Sequence, residues 1–173
     1  MVLAIQEQIS KDKKNFFPWL KKKKEIKISN YLEKEICFFK TSSRDEAIDI
    51  LVNNLEKTGR LTEKDRFHKA ILEREKIVST GIGMGVAIPH AKLPSFKNFF
   101  IAMGIQKDKG IDWDAIDKAP VRLIFMIGGP EEKQNEYLQI LSHLTVIVKD
   151  ETLRKKLINA EKAEEVIKLL SPF

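Results

Sequence analysis

The sequence predicts an α/β sandwich, a mixed central β-sheet covered by helices on both faces. Three observations carry this. Short apolar runs of strand character alternate with longer segments of helical period. Glycine, proline and capping residues mark most of the junctions. And 173 residues is long enough for one globular domain with a proper core.

In chain order, Ile28 to Leu32 reads as a short turn or helix and Ile36 to Lys40 as a strand. Ser43 opens a helix through the capping box S-R-D-E, with Glu46 reaching back. Ala47, Ile48, Leu51, Val52 and Leu55 form its apolar face, and Gly59 ends it. Thr62 is placed to cap the next helix, which runs to about Lys76 and turns Phe67, Ala70 and Ile71 inward. His68 on that helix reads as a surface residue. Val86 to Ile88 is a short buried strand; Lys92 to Ser95 is a turn; Asn98 to Gln106 is a strand. Pro120 introduces a nearly continuous apolar strand, Val121 to Ile127, which Gly128-Gly129-Pro130 ends. Helices follow over about 135–148, with Leu138, Leu141, Leu144, Thr145 and Val148 inward, then over about 151–157 and 164–170.

The stretch from Glu73 to Lys92, E-R-E-K-I-V-S-T-G-I-G-M-G-V-A-I-P-H-A-K, is where chemistry concentrates. Gly81, Gly83 and Gly85 at alternate positions allow backbone angles that a Cβ forbids and let another group approach the main chain. Pro89 lacks an N–H, so it ends the ladder of the preceding strand and delivers His90 to the strand's end. No G-K-[ST] follows the glycines, and the G-x-G-x-x-G spacing fails because Val86 stands at its last position. His68, His90 and His143 show no zinc-ligand spacing, so neither a metal nor a cofactor is expected. The residues alone leave His90 open between a chemical role and a hydrogen-bonded structural one. They favour Arg74 as a solvated helix-surface arginine pairing with Glu73 or Glu75. Asp112, Asp114 and Asp117 around Trp113 read as structural, in a turn rich in local hydrogen-bonding signals.

The run from Ala70 to His90 resembles the phosphorylation-site signature of enzyme IIA domains of the fructose–mannitol type. These belong to the phosphoenolpyruvate-dependent sugar phosphotransferase system and include its nitrogen-regulatory branch. Ser43 to Leu55 resembles that family's first helix, and I-D-W-D-A-I-D-K-A-P-V-R-L-I-F a downstream segment, so the likeness covers about 28–173. It implies the phosphotransferase/anion-transport-protein-like fold and a phosphoryl relay. The phosphocarrier HPr would donate to the His90 imidazole, and the group would pass to a cysteine of a IIB domain and on to sugar. In the regulatory alternative, the phosphorylation state would control binding to partner proteins. Arg74 matches the family's active-site arginine, and main-chain groups around Thr80, Gly81, Gly83 and Gly85 would cradle phosphate oxygens. Where the family usually carries a second active-site histidine, this chain has Tyr137. Tyrosine can donate a hydrogen bond but carries no positive charge. His143, six residues on, lies about 240° around the helix and cannot simply substitute.

Composition bounds the rest. Residues 1–27 hold eight lysines against three acidic residues, +5 of the chain's +6. The basic character therefore belongs to an N-terminal extension rather than to the domain over 28–173, and nucleic-acid binding is not expected. Aromatics beside lysines in N-F-F-P-W-L-K-K-K-K could give weak contact with an anionic membrane surface through 11–27, but a mobile or loosely packed tail is the favoured reading. No apolar stretch approaches the length of a membrane span, and no cleavable signal peptide is visible. Cys37, the single cysteine, sits in an apolar run and reads as inert. A cytoplasmic location is expected.

Overall fold

The computed structural model describes residues 26–173, so the aromatic–lysine run of the extension lies outside the described residues. A 3-10 turn, Ile28–Asn30, comes first. The strands are β1 (Cys37–Phe39), β2 (Gly81–Gly83), β3 (Val86–Ala87), β4 (His90–Lys92), β5 (Phe100–Gln106) and β6 (Leu123–Gly129). The helices are α1 (Arg44–Lys57), α2 (Lys64–Ile77), α3 (Gln134–Lys149), α4 (Glu151–Asn159) and α5 (Ala163–Leu170). Among the described residues, no helix is long and apolar enough to cross a membrane.

One mixed sheet runs in the order β1-β5-β6-β3-β2, with β4 also paired to β6. β1 is parallel to β5, and β3 and β4 are both parallel to β6; β5–β6 and β2–β3 are antiparallel. Side chains of β5 and β6 alternate between two cores, as strand geometry requires. Ile101, Met103, Leu123 and Phe125 meet α3, α4 and α5. Phe100, Ala102, Ile124 and Met126 meet α1 and α2. Both faces of the sheet are covered, as the alternation of elements predicts.

Local chemistry explains where elements begin and where the sequence reading shifts. The Ser43 hydroxyl accepts the Glu46 N–H at 3.3 Å, capping α1. The other half of the box is relayed: the Glu46 carboxylate accepts from the Thr41 hydroxyl, whose oxygen takes the Ser43 N–H at 3.1 Å. Thr62 does not cap α2. Glu63 precedes that helix without a capping bond, and its carboxylate instead receives Arg66 and Ser95. Cys37 is half-buried, and burial pushes its thiol pKa up to about 11, which keeps it protonated and unreactive.

Four further corrections concern the region near His90. Pro89 does not end strand pairing there. It only interrupts it, because its carbonyl still accepts the Ile127 N–H at 2.9 Å, and pairing with β6 resumes as β4 at His90. Lys92, expected in a turn, is therefore the last residue of a strand. Gly128 and Gly129 do not terminate β6 but complete it, opposite the start of β5 and the end of β4; Val121 makes only an isolated bridge to Ile111. On α3 the inward face is Tyr137, Ile140, Leu144, Ile147 and Val148. Leu138 is 53% exposed and Thr145 faces solvent, because the tight i, i+3, i+7 stripe through Tyr137 is the one that meets the sheet.

The two glycines ending β6 are required by close approach rather than by a turn. A Cβ on Gly129 would stand 1.9 Å from the Phe99 ring, and one on Gly128 2.1 Å from the Phe100 ring. Gly129→Ala should therefore destabilise the protein by about 1–3 kcal/mol through overpacking. A urea midpoint unchanged from wild type would contradict this.

Candidate functional site

The site is built outward from the last turns of α2. Glu75 is only 4% exposed, although its neighbours in E-R-E-K suggest a solvated helix face. Its carboxylate accepts the Thr80 N–H at 2.8 Å, the Thr80 hydroxyl at 2.5 Å and the Trp113 indole N–H at 2.9 Å. A buried carboxylate is stable only when its lone pairs are filled in this way. These bonds fasten the end of α2 to the start of β2 and to the loop carrying Trp113, fixing the direction in which the preceding residue points.

That residue is Arg74. Its Nη1 donates to the Val78 carbonyl at 2.9 Å, and its Nε donates to His90 Nε2 at 3.2 Å. The alternative of pairing with Glu73 or Glu75 is not what the structure has: Glu75 is occupied in the interior, and Glu73 lies near Lys69. His90 Nδ1 lies 2.9 Å from the Ile88 carbonyl. A carbonyl can only accept, so Nδ1 carries the proton and Nε2 presents its lone pair toward Arg74. Burial lowers the His90 pKa from the usual 6.5; the bond to Ile88 and the charge of Glu75 oppose that shift, while Arg74 and Lys92 add to it. The ring is thus held neutral near pH 7 with one nitrogen free to act as a nucleophile.

A concavity of about 510 Å³ opens over this nitrogen, lined by Ala70, Arg74, His90, Lys92, Glu131 and Tyr137. It lies alongside β4, whose His90 and Lys92 line it together with Arg74 of α2 and Tyr137 of α3. Tyr137, in the first turn of α3, sets its ring centre 5.7 Å from that of His90. Burial raises the pKa of its hydroxyl, against the charge of Arg74, so it stays neutral. Lys92 holds its ammonium 5.0 Å from the Tyr137 ring centre and donates to Gln134 Oε1 at 2.7 Å. Sequence reasoning missed Lys92 and Glu75. The first could have been found from the strand period of two, which puts His90 and Lys92 on one side of β4; the second carries no sequence signal.

Other predicted site residues lie elsewhere. Thr80, Gly81, Gly83 and Gly85, expected to cradle phosphate oxygens, are not among the residues that line the concavity. The Thr80 N–H and hydroxyl are spent on Glu75, and the Gly81 N–H donates to Ser79 Oγ. Gly83, Met84 and Gly85 all have positive φ (88°, 57° and 73°). Gly83 and Gly85 serve a tight left-handed turn, which Asp117 pins by accepting the Met84 N–H at 2.7 Å. Asp112 and Asp114 likewise bond within their own loop. His143 bonds the Gln139 carbonyl one turn back, and His68 Nε2 sits 2.6 Å from Asp49; neither reaches the concavity.

The family model described as phosphoenolpyruvate-dependent sugar phosphotransferase system, EIIA 2, matches residues 30–172. The chain belongs to this family. It is a phosphotransferase-system component, of the kind that carries a phosphoryl group between proteins. The fructose-specific EIIABC component of Bacillus subtilis is 38% identical over 148 residues, which are 84% of this chain but only 23% of that protein. The fructose-specific EIIA component of Haloferax volcanii is 36% identical over 130 residues, 75% of this EIIA chain and 84% of that one. The crystal structure of nitrogen regulatory protein IIA-Ntr from Neisseria meningitidis superposes with a TM-score of 0.74 at 30% identity, covering 83% of this chain and 98% of that one. Both branches of the EIIA family are therefore among its relatives.

Two outcomes follow from the geometry. Glu75→Ala would leave two donors of Thr80 unpaired and the Trp113 indole with only its 3.3 Å bond to the Thr80 hydroxyl, and should cost roughly 3 kcal/mol, at about 1–3 kcal/mol per buried orphan donor with partial relief by water; urea unfolding followed by tryptophan fluorescence reads it. In nitrogen-detected NMR titrations, His90 should appear as the Nδ1–H tautomer at pH 7 and titrate below 6.5. Because its folded pKa is depressed, its contribution to stability is fully present above the unfolded value and lost as pH falls through the folded one. A midpoint at or above 6.5 would contradict the burial argument.

Proposed function

We propose that His90 Nε2 is the phosphoryl acceptor of this EIIA chain, taking the group from phospho-HPr and passing it to a cysteine of a IIB domain for sugar uptake. The observation that carries this reading is the 3.2 Å approach of Arg74 Nε to His90 Nε2, with Nδ1 already committed to Ile88. The free Nε2 lone pair attacks phosphorus as the phosphorus–nitrogen bond of the donor breaks, and the donor imidazole leaves with that electron pair. The same kind of bond is formed and broken, so the exchange is nearly balanced and reversible. Little covalent activation is needed; positioning and charge compensation do most of the catalysis. Arg74 is placed to turn its N–H groups from nitrogen to the incoming phosphoryl oxygens, and the Tyr137 hydroxyl adds one neutral donor. The exchange takes place in the cytoplasm, where both protein partners of such a relay work.

A regulatory role, in which the phosphorylation state governs binding to other proteins, is the second reading. The tyrosine at position 137 favours it, because signalling tolerates slower transfer than sugar flux does. The domain over 28–173 would serve either role, with residues 1–27 as a separate basic extension.

Incubation with enzyme I, HPr and phosphoenolpyruvate should yield an acid-labile, base-stable phosphoprotein, and His90→Ala should take up none. Label persisting in His90→Ala would remove His90 as acceptor. Addition of sugar with cognate membranes should then drain the label if the chain serves transport; label that stays put would favour regulation.

A further inference from the structure

We propose that Lys92 supplies the second positive charge that grips the phosphoryl group on His90, using the Tyr137 ring as its platform. This rests on His90 being the acceptor. Arg74 gives one guanidinium to a group that carries between one and two negative charges near neutral pH. Tyr137 cannot supply the remaining charge, since its hydroxyl is neutral and becomes more so on burial. Lys92 is two residues from His90 on β4, so the two side chains leave the same side of the strand about 7 Å apart, and both line the concavity.

The ammonium is also held for use rather than neutralised. It rests 5.0 Å from the Tyr137 ring centre, where the negative face of the π-system attracts a cation. Its hydrogen-bond partner is the neutral amide of Gln134 at 2.7 Å. Glu131 lines the same concavity, but among the described residues Lys92 forms no ion pair with it or with any other carboxylate. A lysine on a flexible four-carbon stem, tethered by one neutral bond, can swing a short distance to a phosphoryl oxygen and still donate to Gln134. Arginine, lysine and tyrosine from α2, β4 and α3 thus line one concavity with His90.

A bracing role for Lys92 is the competing explanation, because the Gln134 bond also ties β4 to the first residue of α3. The experiment separates the two. Transfer from phospho-HPr is measured for the full chain and for Lys92→Met, Lys92→Arg and Gln134→Ala, with His90→Ala as a control for the acceptor itself. Lys92→Met should slow transfer roughly 10-fold to 100-fold, the range for losing one hydrogen bond to a charged group. Lys92→Arg should restore most of the rate, and Gln134→Ala, which removes only the tether, should slow transfer far less than Lys92→Met. Phosphorus NMR of the phosphorylated chain gives a readout that bracing would not move: the phosphoryl group should protonate at higher pH in Lys92→Met than in wild type. Wild-type transfer and an unchanged phosphorus titration in Lys92→Met would overturn the proposal while leaving His90 in place. So would a Gln134→Ala loss as large as that of Lys92→Met. Label on His90→Ala would instead overturn the reading on which the proposal rests.

Discussion

A buried carboxylate determines whether this site exists. Glu75 accepts three donors from Thr80 and Trp113, and in doing so it ties the end of one helix to the edge strand and to a loop thirty-odd residues further along the chain. Arg74 is its immediate neighbour. With Glu75 directed into the interior, Arg74 must leave the helix about 100° away, toward the concavity and His90. Rotation of that last turn would remove the guanidinium from the imidazole, so a structural hydrogen-bond cluster and the chemical pair next to it are set by one constraint.

The imidazole is prepared from the other side by its own strand. Pro89 interrupts pairing without abolishing it, and His90 resumes the ladder with its ring turned back to the Ile88 carbonyl. One bond therefore fixes tautomer and orientation together, leaving the Nε2 lone pair turned toward Arg74. Burial and nearby cations keep the ring neutral. The same cations that disfavour a protonated imidazole favour a phosphorylated one, because the added group reverses the sign of the local charge. On the proposed role of His90, an arrangement that suppresses proton uptake would promote phosphoryl uptake.

Much of the fold was legible in the sequence. The capping serine, the apolar period of the first two helices and the long apolar strands each follow from local rules, and each appears within a few residues of its expected place. The misplacements share a cause. Glycines at 128 and 129 look like a stop, yet two phenylalanine rings lie against them and need the room. The third helix offers two apolar stripes, and only the sheet beneath it selects the one through Tyr137. Of the alternating glycines before His90, Gly83 and Gly85 belong to a left-handed turn pinned by Asp117, while Gly81 lies in the edge strand.

By itself the sequence determined the class of fold and the family, since these rest on residue types and spacings along the chain; it left the partner of Arg74 to be decided by the fold. The tertiary structure alone decided which nitrogen of His90 is free, that Glu75 is interior, and that Lys92 and Tyr137 meet in the concavity that His90 lines. Those facts depend on side chains from a helix, a short strand and a second helix converging in space, and distance along a chain holds no record of that convergence.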